Sequence, residues 1–122
     1  MFWRKKKPKT FRLAADQIRP IAEGHGGCLA SDMITVDGRK VGFAYREASD
    51  FDEDSGWRFT SGLESQKYTD DPSNWNVYDV NTIANYDPEI IPLLDAPEGS
   101  AFEREKGTGR FIQAQDWQPP EY

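Results

Sequence analysis

The chain of 122 residues predicts a single α+β domain, a mainly antiparallel sheet with a few short helices. Three observations lead there. The length is that of one typical domain with one core, because halving it would leave two marginal units. Short runs of β-branched and aromatic residues recur between turn signals such as Asp37-Gly38, Ser61-Gly62 and Asp70-Asp71-Pro72. Helical periodicity, by contrast, is confined to brief stretches. Hydrophobic residues make up only 37%, so four Trp, five Tyr and seven Phe must supply much of the core volume.

Residues 1–10, MFWRKKKPKT, read as an exposed basic arm, with Pro8 opposing a helix there. Residues 11–116 form the domain and 117–122, with Pro119-Pro120, a loose tail. Phe11, Leu13, Ala14, Ile18 and Ile21 sit at roughly helical spacing, and Pro20 ends or kinks that short helix. Gly24-His25-Gly26-Gly27 is a connector. Cys28–Thr35 and Arg39–Tyr45 then read as the two strands of a β-hairpin joined at Asp37-Gly38, a pair that tolerates a type I′ turn. In the second run Val41, Phe43 and Tyr45 alternate with smaller or charged residues and define one apolar face.

Residues 47–56, EASDFDEDSG, read as an acidic loop with five carboxylates between Glu47 and Asp54. Trp57–Thr60 reads as a short strand, and Glu64–Asn74 as a polar loop. Trp75–Tyr78 reads as a further strand. Asp79 is placed as the N-cap of a helix beginning Val80-Asn81-Thr82-Ile83-Ala84 and bounded by Pro88. Ile90-Ile91-Pro92-Leu93-Leu94 is the most apolar run and is expected in the core. Residues 98–109 are charged and glycine-rich, and Arg110–Ala114 is expected as a late edge strand.

The net charge of −6 conceals an asymmetry. Arg4, Lys5, Lys6, Lys7, Lys9 and Arg12 place six cations and no acid in the first twelve residues, leaving nine basic and twenty-one acidic side chains, a net of −12, in the rest. Such a body repels nucleic-acid phosphates, so no nucleic-acid partner is expected for it. No apolar run approaches a membrane span, and no apolar stretch follows the charged start as a secretory signal requires. The lone Cys28 cannot form an internal disulfide, which suits a reducing cytoplasm, and one Cys with one His excludes a Cys/His zinc site.

No catalytic set emerges. His25 and Cys28 are the only imidazole and thiol, but Cys28 opens a strand where a small side chain packs, and a lone His supports no serine triad. Gly107-Thr108-Gly109 lacks the helix that a phosphate cradle needs. Asp50, Asp52 and Asp54 alternate as in a calcium loop, yet Ser55 stands where its glycine should be and Ser61 where its bidentate glutamate should be. No metal, cofactor or enzymatic activity is therefore expected. The remaining constellation is acidic and aromatic: Asp50, Asp52, Glu53 and Asp54, flanked by Trp57 and Tyr68, suit a cationic protein partner. Trp57, Phe59 and Trp75 suit a core equally well, whereas Tyr68 in its polar loop is expected to be exposed. A small-molecule or metal-binding regulatory domain using the same loop is the alternative.

Three stretches then carry a resemblance: Gly27-Cys28-Leu29-Ala30-Ser31-Asp32-Met33-Ile34-Thr35-Val36-Asp37-Gly38 with Val41–Glu47, Asp54-Ser55-Gly56-Trp57-Arg58-Phe59, and Tyr78–Pro88 followed by Ile91–Asp95 and Gly99–Arg104. Over roughly residues 26–104 the chain resembles the immunity-protein-33-like domain family of bacterial polymorphic toxin systems. The resemblance implies a small, non-catalytic cytoplasmic protein whose partner is a cognate toxin, which it binds and neutralises. Ser55-Gly56-Trp57-Arg58 and Asn81-Thr82 to Pro88 are the motif residues; structural duties suit them as well as functional ones.

Overall fold

A computed structural model describes residues 9–118, so most of the basic arm and the end of the tail lie outside the described residues. The chain is an α+β domain built on a mostly antiparallel six-stranded sheet: β1 (Gly27–Ser31), β2 (Phe43–Arg46), β3 (Asp54–Thr60), β4 (Trp75–Asp79), β5 (Ala101–Arg104) and β6 (Phe111–Gln113), in the order β4-β1-β3-β2-β5-β6. Only β1 and β3 run parallel. Three helices, α1 (Asp32–Thr35), α2 (Gln66–Thr69) and α3 (Val80–Tyr86), are joined by 3₁₀ turns at Ala15–Gln17, Pro72–Asn74 and Pro88–Leu93.

The pairing registers give the sheet two unlike faces. One row runs Asn76, Ala30, Phe59, Ala44, Phe102 across β4, β1, β3, β2 and β5; the next, on the opposite face, runs Val77, Leu29, Arg58, Tyr45, Ala101. The first face is the core. Cys28, Ala30, Ala44, Trp57 and Phe59 meet Ile34 from α1, Val80, Ile83 and Ala84 from α3, and Ile90, Leu93 and Leu94 from the last 3₁₀ turn. Trp57 stacks on Phe59 with ring centroids 5.9 Å apart and donates from Nε1 to the Leu94 carbonyl at 3.3 Å. Burying that indole with its polar atom satisfied lets it fill the centre of a core short of aliphatic residues.

Several expectations hold element by element. Asp79 caps α3 by accepting from Asn81 N at 2.8 Å. Residues 75–78 lie in β4, 57–60 lie in β3, and the edge strand appears as β6. Ile90, Leu93 and Leu94 are buried as expected.

Other expectations are overturned. Residues 28–35 and 39–45 are not a hairpin: β1 lies between β4 and β3 and does not touch β2. The reason is local. Ser31 accepts from Met33 N and caps α1, so the chain coils where Ile34, Thr35 and Val36 would otherwise extend. Gly38 does take the positive φ its Asp-Gly setting predicts, at 78°, but it closes that helical turn by donating to the Ile34 carbonyl at 3.1 Å. The hairpins of the fold are β2–β3, joined by residues 47–53, and β5–β6, joined by residues 105–110. Within β2 the faces are exchanged relative to expectation: Ala44 points into the core, while Phe43 and Tyr45 lie half-buried on the other side.

The helix expected from Phe11 to Ile21 is reduced to the 3₁₀ turn at Ala15–Gln17. Side chains of α3 capture that backbone as an extended strap. Asn81 Oδ1 accepts from Ile21 N and Ala22 N at 2.9 and 2.8 Å, and Asn85 Oδ1 accepts from Arg19 N at 2.9 Å. These bonds offer the strap a better set of partners than a helix broken at Pro20. Residues 98–109 also contain an unexpected strand, β5, whose Arg104 spans to Asp87 and covers the Phe111 ring at 4.3 Å.

Two glycines separate steric from conformational demand. Gly56 has φ +86° and a Cβ there would lie 2.0 Å from the Glu47 carbonyl oxygen, whereas Gly99 has φ +89° with open space around it. Gly99→Ala is expected to cost about 1 kcal/mol for the left-handed backbone alone. Gly56→Ala should cost about 3 kcal/mol or more, because β2 and β3 must part at their pairing. Urea unfolding of both variants checks the difference.

Candidate functional site

The acidic loop leaves β2 at Arg46 and re-enters the sheet at Asp54, so its form depends on how those strand ends are tied. Glu47 N donates to the Gly56 carbonyl at 2.9 Å and Asp54 N to the Phe51 carbonyl at 3.0 Å. Ser49 Oγ donates to the Asp54 carbonyl at 2.8 Å. On the β1 side, Gly27 N donates to the Glu53 carbonyl at 2.8 Å, which holds Glu53 in the left-handed region at φ 65°. Glu53 is the described non-glycine residue with positive φ, and it sits at the crest of the charged loop.

Beneath the loop lies a buried ion cluster. Arg58 donates from both terminal nitrogens to Asp54, at 2.9 and 2.7 Å, and from Nε to Glu47 at 3.0 Å. Its side chain is 3% exposed, and those of Asp54 and Glu47 are 0% and 12% exposed. Asp54 is further used as a backbone acceptor: Oδ2 takes Asp50 N at 2.8 Å and Oδ1 takes Gly56 N at 2.9 Å. Burial by itself would raise the Asp54 pKa. The hydrogen bonds from Arg58, Asp50 N and Gly56 N, with the Arg58 charge, outweigh burial and hold the carboxyl below its ordinary value. Burial likewise opposes the charge on Arg58, and Asp54 with Glu47 overcomes it, so the guanidinium stays cationic.

The expected surface residues are thus sorted by the structure. Asp50, Asp52 and Glu53 are exposed on the loop, together with Phe51. Asp54 turns inward, where it joins Glu47 in balancing the buried Arg58 charge. Trp57 is fully buried in the core and faces away from the loop's solvent side. Tyr68, expected to be exposed, is half-buried on α2, which Ser65 caps, and it lines a hollow with Lys67 and Asp71 that the loop does not share. From that segment, Thr69, Asp70, Pro72 and Trp75 line a hollow with Leu29 and Val77. Sequence reading passes over Phe51, Leu29 and Val77. Their signal was present in the strand alternation, since Trp75 and Val77 share a face, but the side on which the core lies was not.

The same geometry bears on the other chemistries. A calcium loop would need the Asp54 oxygens, and both are committed to Arg58 and to backbone N–H groups. Among the described residues no three His, Cys, Asp or Glu side chains are grouped to hold a metal ion. The Cys28 thiol is fully buried in β1, and burial pushes its pKa well above the ordinary thiol value, which suppresses the thiolate that a nucleophile requires.

Removing Arg58 strands a buried carboxylate. Arg58→Met is expected to cost about 3–5 kcal/mol in urea unfolding, whereas Arg58→Met with Asp54→Leu should recover much of that loss. Because the folded Asp54 pKa lies below the unfolded one, its contribution is present above about pH 4 and is lost as pH falls further. Stability followed from pH 6 to about pH 2 should therefore drop less steeply in Asp54→Asn than in the unaltered protein.

The comparisons with known proteins fall on this same framework. No curated protein and no solved structure matches the chain. The family model of the immunity protein Imm33 domain matches residues 28–115, from the start of β1 past β6, and so takes in the sheet, the Arg58 cluster and the acidic loop. By that match, which spans well over half of its length, the chain belongs to the Imm33 immunity protein domain family.

Proposed function

We propose that this protein is a bacterial immunity protein that binds a cognate toxin domain and neutralises it by occlusion, without chemistry of its own. The observation that carries the reading is the family match over residues 28–115. The loop supports it. Asp50, Asp52 and Glu53 stand exposed on a connection held by backbone bonds and by the Arg58 cluster, so their charges are presented at little further ordering cost. Fixed negative charge of this kind accelerates encounter with a cationic protein surface. The protein acts in the cytoplasm, where Cys28 remains a free thiol. Among the described residues no helix is long and apolar enough to cross a membrane.

The partner is to be sought in the neighbouring gene: co-expression with a toxin domain encoded beside this chain should restore growth, and the two proteins should co-purify. Asp50→Asn, Asp52→Asn and Glu53→Gln combined should lower the association rate and flatten its salt dependence without loss of stability. An unchanged association rate removes the loop from the interface.

A further inference from the structure

The non-core face of the sheet is covered at its margins and open between them. On the loop side, Phe51 lies over Gly27, with a ring carbon 3.0 Å from where a Cβ on Gly27 would stand. At the other end of β1 and β4, Trp75 donates from Nε1 to the Thr69 carbonyl at 3.0 Å and lies against the 66–74 segment. Across the sheet, the Trp117 ring sits 4.9 Å from that of Tyr45. Between these covers lies the cross-strand pair Leu29 and Val77, Leu29 half-buried and Val77 58% exposed although it sits mid-strand. Three shallow hollows meet at this pair. One runs under Asp52, Glu53 and Asp79, one under Glu47 and Asp50, and one beside Asp70. Arg58, which lines the second hollow, is buried and bound to Asp54 and Glu47, so its charge is taken up by them and not by Asp50, Asp52, Glu53, Asp70 and Asp79.

We propose that this open face, centred on Leu29 and Val77, is the docking surface for a cationic protein surface that presents an apolar side chain, namely the toxin domain of the reading above, on which this inference rests. An apolar centre ringed by charge is the arrangement in which a few desolvated contacts supply most of the affinity and the rim sets rate and specificity. The sign of the rim selects the occupant. Nucleic acid is repelled, and a second copy of this chain would bring two acidic rims within a Debye length of about 8 Å.

The test uses the intact protein and the toxin domain encoded beside it, with binding kinetics at two salt concentrations. Val77→Arg keeps the fold because the side chain is mostly exposed, which a thermal melt verifies. It should raise the Kd about tenfold or more, chiefly through faster dissociation. Asp52→Lys should slow association, and Val77→Ile should bind as the unaltered protein does. Lys40→Glu, in the segment that precedes β2, should also leave binding unchanged. If Val77→Arg and Asp52→Lys bind normally while the unaltered protein still protects, this face is not the interface and the immunity reading stands. If the unaltered protein neither binds nor protects, both fall. Dimers that sediment in the unaltered protein and dissociate in Val77→Arg assign the face to a second copy and overturn the proposal.

Discussion

The placement of one arginine governs much of this molecule. Arg58 belongs to the outward row of β3, where a charged residue would ordinarily reach water, but here the loop folds over it and its guanidinium is bound by Asp54 and Glu47. An ion pair so dry contributes little net stability, because desolvation offsets most of the attraction. Its effect is on specificity. With Arg58 in place, Asp54 must turn inward, Asp50 N must meet its carboxylate, and Gly56 must make the tight approach to Glu47 that joins β2 to β3. The remaining acids of the loop are then left outside.

A second buried carboxylate plays the corresponding part at the other end of β2. Asp87 accepts from Val41 N at 3.0 Å, caps the Pro88–Leu93 turn through Glu89 N at 3.1 Å, and pairs with Arg104. Arg104 extends the network to Glu89, which Lys40 also meets at 3.2 Å. The aliphatic core between these clusters is small, with Trp57 and Phe59 as its largest side chains. Paired charges at both ends therefore set the strand register while the aromatic stack fills the space.

The balance of −6 acquires a structural meaning once the faces of the sheet are known. α1, α3 and the Pro88–Leu93 turn cover one face, and several of the body's surplus acids ring the half-buried Leu29 and exposed Val77 on the other. A like-charged ring works against stability, since its members repel. A cationic surface is what such a ring is matched to electrostatically.

Local signals were sufficient wherever one residue decides one bond. Asp79 before Val80-Asn81-Thr82, Pro88 after Tyr86, the apolar run 90–94 and the strand at 75–78 are legible because caps, proline and burial of contiguous aliphatics act within a few residues. The family signature is legible for the same reason, as a run of such residues in fixed order. What the sequence by itself could not decide is which partner wins a backbone group or a charge far along the chain. Gly38 carried a turn signal that fits a hairpin or a helix end equally, and Ser31 settled it only with the parallel pairing of β1 and β3. Residues 11–21 had helical spacing until Asn81 and Asn85, sixty residues away, claimed their N–H groups. Asp50, Asp52, Glu53 and Asp54 read alike, and only the tertiary structure separates the one that neutralises Arg58 from the three that face solvent, because burial and exposure follow from which face of the sheet the helices cover.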